Sequence, residues 1–181
     1  KLRKKSPILI CVDIQMGFLE EEIGGVAEII CSAIIEKWRK IGLEIIHIRH
    51  SSINPSSKLH KDNEGFKFNP VAMPMPDEIV ITKSVNSSFI GTNLKEIIDS
   101  KSCDTLVIVG LTTDHCVSTT TRMAGNYSYD TYLISDATAT FNKVGINGEH
   151  FSSELIHSTA LASLNGEFAT VIDSNHLFKM L

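Results

Sequence analysis

The chain has 181 residues, of which 43% are hydrophobic and 21% are charged. This length and composition allow a sizeable core, which excludes disordered, collagen-like and coiled-coil proteins and predicts a single domain over residues 1–181. The 17 lysines and arginines against 21 aspartates and glutamates give a net charge of −4, so we expect no nucleic-acid partner.

In chain order, strands and helices are predicted to alternate. Apolar runs and helical periodicity predict a strand at Ile8–Ile14, a helix at Glu20–Ile41, a strand at Glu44–His50, a strand at Glu78–Thr82, a helix at Thr92–Ser100, a strand at Thr105–Val109, a helix at Asp114–Tyr127, a strand at Asp130–Ser135, a helix at Glu149–Leu164, a strand at Phe168–Ile172 and a short helix at Asn175–Met180. Residues 51–77 hold four of the five prolines and are predicted to form a long irregular loop, which is typical of a wall or lid of a functional site.

The alternation predicts an α/β fold with three α/β/α layers, in which a six-stranded parallel sheet has the Rossmann-like strand order 3-2-1-4-5-6. Ligands of such sheets bind beyond the carboxyl ends of the strands, near the point where the strand order reverses.

Three reactive side chains fall at that carboxyl edge of the sheet. Asp13 lies near the end of the first strand, Lys83 follows the third, and Cys116 lies in the turn after the fourth. Asp13 and Cys116 are expected to face each other, whereas Lys83 has to reach in from farther away.

The chemistry of these three side chains predicts attack of a thiolate on a carbonyl, followed by hydrolysis of a thioester. A thiol is mostly protonated at neutral pH and needs activation. An ammonium and a helix N-terminus both stabilise a thiolate, a carboxylate can take its proton, and backbone N–H groups at a helix start can hold an oxyanion. Each residue also has an ordinary alternative: Asp13 as a turn residue, Lys83 as a solvated side chain and Cys116 as a small buried hydrophobe.

Metal, membrane and disulfide chemistry are not expected. His47 and His50 are three residues apart on a strand, so their side chains point to opposite faces, and no aspartate accompanies His50 and His60 at that edge. The four cysteines have no paired spacing, which favours free thiols. The apolar run behind the basic residues 1–5 is too short for a signal peptide or a membrane helix, which predicts a cytoplasmic protein without a membrane partner.

Five segments within residues 6–173 carry a resemblance to a known family. They are Val12-Asp-Ile-Gln-Met-Gly-Phe18, Ile48-Arg-His-Ser-Ser52, Thr82-Lys-Ser-Val-Asn-Ser-Ser-Phe-Ile-Gly-Thr-Asn-Leu94, Gly110-Leu-Thr-Thr-Asp-His-Cys-Val-Ser-Thr-Thr-Thr-Arg122 and Ser135-Asp-Ala-Thr-Ala139. In this order and at these separations they resemble the isochorismatase-like cysteine hydrolase superfamily, which includes nicotinamidase and N-carbamoylsarcosine amidohydrolase.

The resemblance implies a catalytic triad of Asp13 as base, Lys83 as the cation that steadies the thiolate and the intermediate, and Cys116 as nucleophile. It also implies a cis peptide bond between Leu111 and Thr112, which would direct the N–H groups of Thr112 and Cys116 at the oxyanion. No cofactor is implied. Members of this superfamily commonly form dimers or tetramers, so we expect a homodimer or homotetramer.

Two departures from family patterns narrow the expected activity. Nicotinamidases usually carry an Asp-x-His metal motif after the second strand, but this chain has His47-Ile-Arg-His50 there, which disfavours a metal-dependent nicotinamidase. Members that split the vinyl ether of isochorismate often lack the cysteine, so Cys116 favours hydrolysis of a C–N bond.

The leading hypothesis is therefore a cysteine amidohydrolase that acts on a small amide, ureido or carbamoyl compound. The substrate pocket is expected to involve Phe18, His50, Phe89 and Phe141 together with the 51–77 loop. Phe18 and Phe89 could equally lie in the core, and His50 could be an ordinary hydrogen-bonding residue at a strand end. The alternative functions are a vinyl-ether hydrolase in which Asp13 protonates the substrate and Cys116 is idle, and a catalytically silent interaction module.

Overall fold

A six-stranded parallel sheet forms the centre of the fold. The structure is a computed structural model that describes residues 1–19 and 25–181. The strands are β1 (Ile8–Val12), β2 (Ile45–His50), β3 (Ile79–Lys83), β4 (Thr105–Leu111), β5 (Asp130–Ala139), β6 (Lys143–Val144), β7 (His150–Phe151) and β8 (Thr170–Ile172). The helices are α1 (Val26–Ile41), α2 (Leu94–Ser100), α3 (Ser118–Asn126), α4 (Ser153–Leu164) and α5 (Ser174–Met180). None of the helices in these two ranges is long and apolar enough to cross a membrane.

The sheet has the strand order β3-β2-β1-β4-β5-β8, with every neighbouring pair parallel. This confirms the predicted three-layer α/β/α fold and the predicted order, in which the sixth strand of the sheet is β8. The labels differ because β6 and β7 form a separate two-stranded antiparallel pair between β5 and α4.

Apolar cores on both faces of the sheet explain why the sequence of β1 is a continuous apolar run. Ile8, Ile10 and Val12 belong to the core on one face, while Leu9 and Cys11 belong to the core on the other. All five are at most 2% exposed. A strand buried on both sides has no polar face, so its sequence shows no alternation.

Several predicted boundaries shift at the carboxyl edge, where the site lies. β1 ends at Val12 and not at Ile14, because Asp13 adopts a left-handed conformation with φ of 51° and leaves the ladder. Lys83 is the last residue of β3 instead of the first one after it. β5 continues past Ser135 to Ala139.

Four predicted helices have a later start in the structure. The first is described from Val26, and residues 20–24 of its predicted range lie outside the described residues. The helix predicted from Thr92 begins at Leu94. The helix predicted from Asp114 is a π-helical turn over Thr113–Val117 followed by α3. The predicted helix start at Glu149 was wrong. His150 and Phe151 pair with β6, and Ser152 caps α4 by accepting a hydrogen bond from the Leu155 N–H.

The segment over residues 51–77 is the irregular loop that the prolines predict. Two short 3₁₀ turns, Glu64–Phe66 and Pro70–Ala72, are its only helical pieces. It returns to the sheet edge through a bridge between Phe68 and Gln15. The loop therefore covers the carboxyl ends of β1 and β2.

Candidate active site

Asp13, Lys83 and Cys116 come together at the carboxyl edge of the sheet. Their residues are 0%, 2% and 7% exposed, respectively. The Nζ of Lys83 lies 2.9 Å from Oδ2 of Asp13 and 3.2 Å from Sγ of Cys116. The cluster therefore joins a carboxylate, an ammonium and a thiol in direct contact.

Lys83 reaches Asp13 although β2 separates their strands. Neighbouring strands are about 4.8 Å apart, so β3 and β1 are roughly 10 Å apart. Lys83 pairs in register with His50, the last residue of β2, and its long side chain passes that strand end. The Nζ also donates a hydrogen bond to the Val85 carbonyl at 3.0 Å, which holds the ammonium against the loop that follows β3.

His50 is part of this cluster through its ring nitrogen. Its Nδ1 lies 2.9 Å from Nζ of Lys83. The buried side chain of Gln15 fixes the backbone of His50: its Nε2 donates to the His50 carbonyl at 3.0 Å, and its Oε1 accepts from the His50 N–H at 2.9 Å. The sequence prediction put His50 at the pocket, but no sequence signal indicated its contact with Lys83 or the role of Gln15.

The turn that carries Cys116 depends on a close approach between β4 and β1. Gly110 has φ of 122°, and a Cβ there would lie 2.0 Å from the Val12 carbonyl oxygen, so only glycine fits. The peptide bond between Leu111 and Thr112 is cis. Thr112 is buried, and its carbonyl accepts hydrogen bonds from His115 and Val117 N–H groups at 3.2 Å. Cys116 thus lies in the π-helical turn that leads into α3, four residues after Thr112.

Four polar contacts anchor the turn to neighbouring elements. The Thr113 hydroxyl lies 2.7 Å from Nδ1 of His157 on α4 and 3.0 Å from the hydroxyl of Thr138 on β5. Asp114 accepts a hydrogen bond from Thr140 and forms an ion pair with Lys143 at 3.1 Å. No sequence pattern indicates these contacts, because they join residues that are 25 or more positions apart.

Burial and charge keep the Cys116 thiol protonated at rest. Burial, the larger cause, and the charge of Asp13 together raise the pKa of Cys116 to about 12, against the opposing effect of Lys83. Burial also raises the pKa of Asp13, against the effect of Lys83. The expected net stabilisation of a thiolate by the ammonium is therefore not present in the resting site. Neither carboxylate oxygen of Asp13 has a well-aligned hydrogen-bond donor among the described residues, so the carboxylate can receive a proton.

The imidazole of His50 is neutral at neutral pH. Burial lowers the pKa of His50 to about 4, and the charge of Lys83 acts in the same direction. An ammonium group has only donors, so Nδ1 of His50 must accept the hydrogen bond from Lys83.

The same cluster has the ligand set of a metal site, with a lysine in its middle. One ligand atom each of Asp13, His50 and Cys116 lies within 4.8 Å of the others. Nζ of Lys83 contacts all three side chains, so an ammonium takes the position that a metal ion would need. His47 points to the opposite face of the sheet, where its Nε2 lies 2.9 Å from Oε1 of Glu78.

The aromatic residues predicted for the pocket separate into two groups. Phe18 and Phe141 follow β1 and β5 at the carboxyl edge, and their rings stack with centroids 6.3 Å apart. Phe89 is 8% exposed and packs against Tyr127 and Tyr129, which lie beyond the C-terminal end of α3. Phe89 belongs to the same buried core cluster as Cys116, and its place in the substrate pocket stays a prediction.

The comparison with known proteins gives a consistent family assignment. Residues 7–176 match the family model of the isochorismatase domain. The isochorismatase family protein YrdC of Bacillus subtilis (strain 168) is 48% identical over 178 residues, with 96% of this chain and 95% of YrdC covered. A crystal structure of an isochorismatase-family protein from Chromobacterium violaceum ATCC 12472 superimposes with a TM-score of 0.92 at 35% identity, covering 97% of this chain and 93% of that one. Nicotinamidase 3 of Arabidopsis thaliana is 31% identical over 106 residues, which cover 59% of this chain and 48% of that protein.

Proposed function

Because the chain belongs to the isochorismatase family of hydrolases, we propose that it is a cysteine amidohydrolase, which cleaves the C–N bond of a small amide, ureido or carbamoyl substrate. The observation that carries this proposal is the direct contact of Lys83 with both Asp13 and Cys116 in one buried cluster. The similarity to a nicotinamidase, whose name states an amide substrate, supports the same reaction class.

The first half-reaction forms a thioester. Asp13 takes the thiol proton while Sγ of Cys116 attacks the substrate carbonyl, and the carbonyl electron pair moves onto oxygen. The backbone N–H groups of Thr112 and Cys116 stabilise this oxyanion. When the oxyanion collapses, the C–N bond breaks and the leaving nitrogen takes the proton from Asp13, which releases ammonia or an amine.

The second half-reaction regenerates the thiol. Asp13 takes a proton from a water molecule, whose oxygen attacks the thioester carbonyl. Collapse of this second oxyanion breaks the C–S bond, and the departing sulfur of Cys116 recovers the proton from Asp13. The product is a carboxylic or carbamic acid, and Lys83 remains protonated throughout.

The contacts of Cys116 favour this chemistry over vinyl-ether hydrolysis. A vinyl-ether hydrolase needs only a protonated carboxyl group and has no use for a cysteine. Here Sγ of Cys116 lies 3.2 Å from the ammonium of Lys83 and near the carboxyl group of Asp13, which is an environment that suits a nucleophilic thiol. The stacked rings of Phe18 and Phe141 are proposed to form an apolar wall beside the reacting carbonyl.

A screen of small amides, ureides and carbamoyl compounds for ammonia release tests the proposal. We expect turnover by the wild-type chain, loss of turnover in Cys116→Ser and Cys116→Ala, and no loss in Cys103→Ser, the control at a partly buried cysteine outside the cluster. A mass increase on Cys116 after an acid quench would identify the thioester. Full turnover of any substrate by Cys116→Ala would refute the cysteine mechanism and favour the vinyl-ether reaction.

Homodimer or homotetramer formation and a cytoplasmic location stay predictions. Light scattering of the purified chain measures the first, and cell fractionation measures the second.

A further inference from the structure

We propose that His50 is a fourth catalytic residue of this site, which donates a hydrogen bond from its Nε2–H to an acceptor oxygen of the substrate other than the scissile carbonyl. Lys83 fixes the tautomer that makes this possible. The inference deepens the proposed function and rests on it.

The tautomer follows from the partner of Nδ1. Lys83 is a donor only, and its Nζ lies 2.9 Å from Nδ1 of His50, so Nδ1 carries no proton. A neutral imidazole has one proton, which must then be on Nε2. The side chain therefore presents a donor at its far end.

This donor is unused in the structure. His50 is partly buried, and its described hydrogen bonds involve only its backbone and Nδ1. Within residues 1–19 and 25–181, no protein group accepts from Nε2. A directed donor beside the nucleophile without a protein acceptor is what a substrate-binding group needs.

The position of the donor is rigid. Both backbone polar groups of His50 are held by the amide of Gln15, which is 1% exposed. The same amide also donates to the Phe66 carbonyl at 2.8 Å, which fixes its own orientation. Because the backbone and the ring of His50 are both held, the side chain loses little conformational entropy when its donor binds an acceptor.

Strand order indicates which oxygen the donor reaches. His50 ends β2, whereas Thr112 follows β4, and β1 lies between these strands. The backbone donors proposed for the oxyanion and the imidazole donor therefore approach the thiol of Cys116 from opposite sides. One carbonyl oxygen cannot reach both, so the substrate class is an amide that carries a second oxygen acceptor, such as a carboxylate or a second carbonyl.

Two isosteric substitutions distinguish the donor role of Nε2–H from the acceptor role of Nδ1 toward Lys83. The amide of asparagine reaches the position of Nδ1, so His50→Asn can still accept from Lys83 but has no donor at the far end. The amide of glutamine reaches the position of Nε2, so His50→Gln keeps the donor and loses the acceptor. We expect His50→Gln to keep kcat/KM within about tenfold and His50→Asn to lose roughly 10- to 100-fold.

The opposite ranking, equal losses in both variants, or no loss in either variant would overturn the proposal, because each would mean that Nε2–H makes no contact with the substrate. His176→Asn and His176→Gln, at an exposed histidine of α5, control for the substitution itself.

Alkylation of Cys116 tests the inference without a natural substrate. Iodoacetate carries a carboxylate acceptor and methyl iodide carries none. We expect iodoacetate to label His50→Asn about tenfold more slowly than wild type and His50→Gln, and methyl iodide to label all three equally. Equal iodoacetate rates would refute the role of His50. Absence of ammonia release by the wild-type chain would refute only the proposed function.

Discussion

Replacing Asp13 by asparagine should strongly slow hydrolysis and at the same time make Cys116 more reactive. The carboxylate has two effects on the thiol in the proposed mechanism. It accepts the proton during attack, and its negative charge disfavours a thiolate beside it. Asparagine removes both effects and keeps the shape of the side chain.

The size of the second effect follows from the distance between the two groups. Their ligand atoms lie within 4.8 Å. At an effective dielectric constant of about 20, two unit charges at that distance repel by about 3.5 kcal/mol, which corresponds to about 2.5 pKa units. The pKa of Cys116 should therefore fall from about 12 into the range of about 9–10. The thiolate fraction at pH 7 then rises about 300-fold. Intrinsic nucleophilicity falls about tenfold with the lower pKa, which leaves a net acceleration of about 30-fold.

The assay is the rate of Cys116 carbamidomethylation by iodoacetamide as a function of pH, followed by mass spectrometry with Cys103 as the internal reference. Ammonia release by the same variant should fall by about 10²–10⁴-fold, because general-base catalysis is lost. Asp62→Asn, at a side chain that is 74% exposed, is the control and should change neither rate. An alkylation rate at or below that of wild type would refute the electrostatic reasoning, whatever happens to turnover.

Three further predictions concern the surroundings of the triad. The free energy of unfolding should fall as the pH is lowered from 6.5 to 4, because the unfolded His50 takes up a proton in that window while its folded pKa is about 4; discounted for the half-exposed ring, the share of His50 is about 1–2 kcal/mol. Urea titrations should show a fall that is smaller by this amount in His50→Gln than in wild type, and equal falls would contradict it. Phe141→Ala should raise KM about 5- to 10-fold with little loss of stability, whereas Phe89→Ala should cost about 3–5 kcal/mol of stability without a change in KM; a reversed pattern would place Phe89 and not Phe141 in the pocket. Gly110→Ala should cost more than about 4 kcal/mol in urea unfolding, because its Cβ would overlap a backbone oxygen of β1, whereas Gly148→Ala, which has a positive φ and open space, should cost about 1–2 kcal/mol; similar costs would contradict the steric argument.

The order of the sheet could be predicted because its signals are local and continuous. Strands buried on both faces appear as uninterrupted apolar runs, and the crossover rules allow few arrangements of such strands. The carboxyl edge was less predictable. The end of β1 depends on the left-handed conformation of Asp13, and the β6–β7 pair depends on contacts across a loop that have no periodic pattern.

The triad could be predicted from residue type and position, but its geometry and charge balance could not. Sequence order places Lys83 two strands from Asp13, and only the structure shows that its side chain passes the end of β2 to reach the carboxylate. The contact between Lys83 and His50 depends on register, which sequence alone does not give. The direction of the Phe89 ring depends on packing against the two tyrosines beyond α3, and an isolated phenylalanine carries no sign of it.

Burial raises the pKa values of both acidic partners of this cluster, and a single ammonium opposes it. Lys83 can neutralise one buried anion, and a second would cost several kcal/mol. Asp13 and Cys116 therefore share one negative charge, which the proposed mechanism moves from carboxylate to sulfur to substrate oxygen while the cluster keeps its net charge. A divalent metal in the same position would hold carboxylate and thiolate as anions together, since a coordinated thiol is deprotonated outright. The proton could then no longer pass between them, so a monovalent cation is the one that suits acid–base exchange at this site.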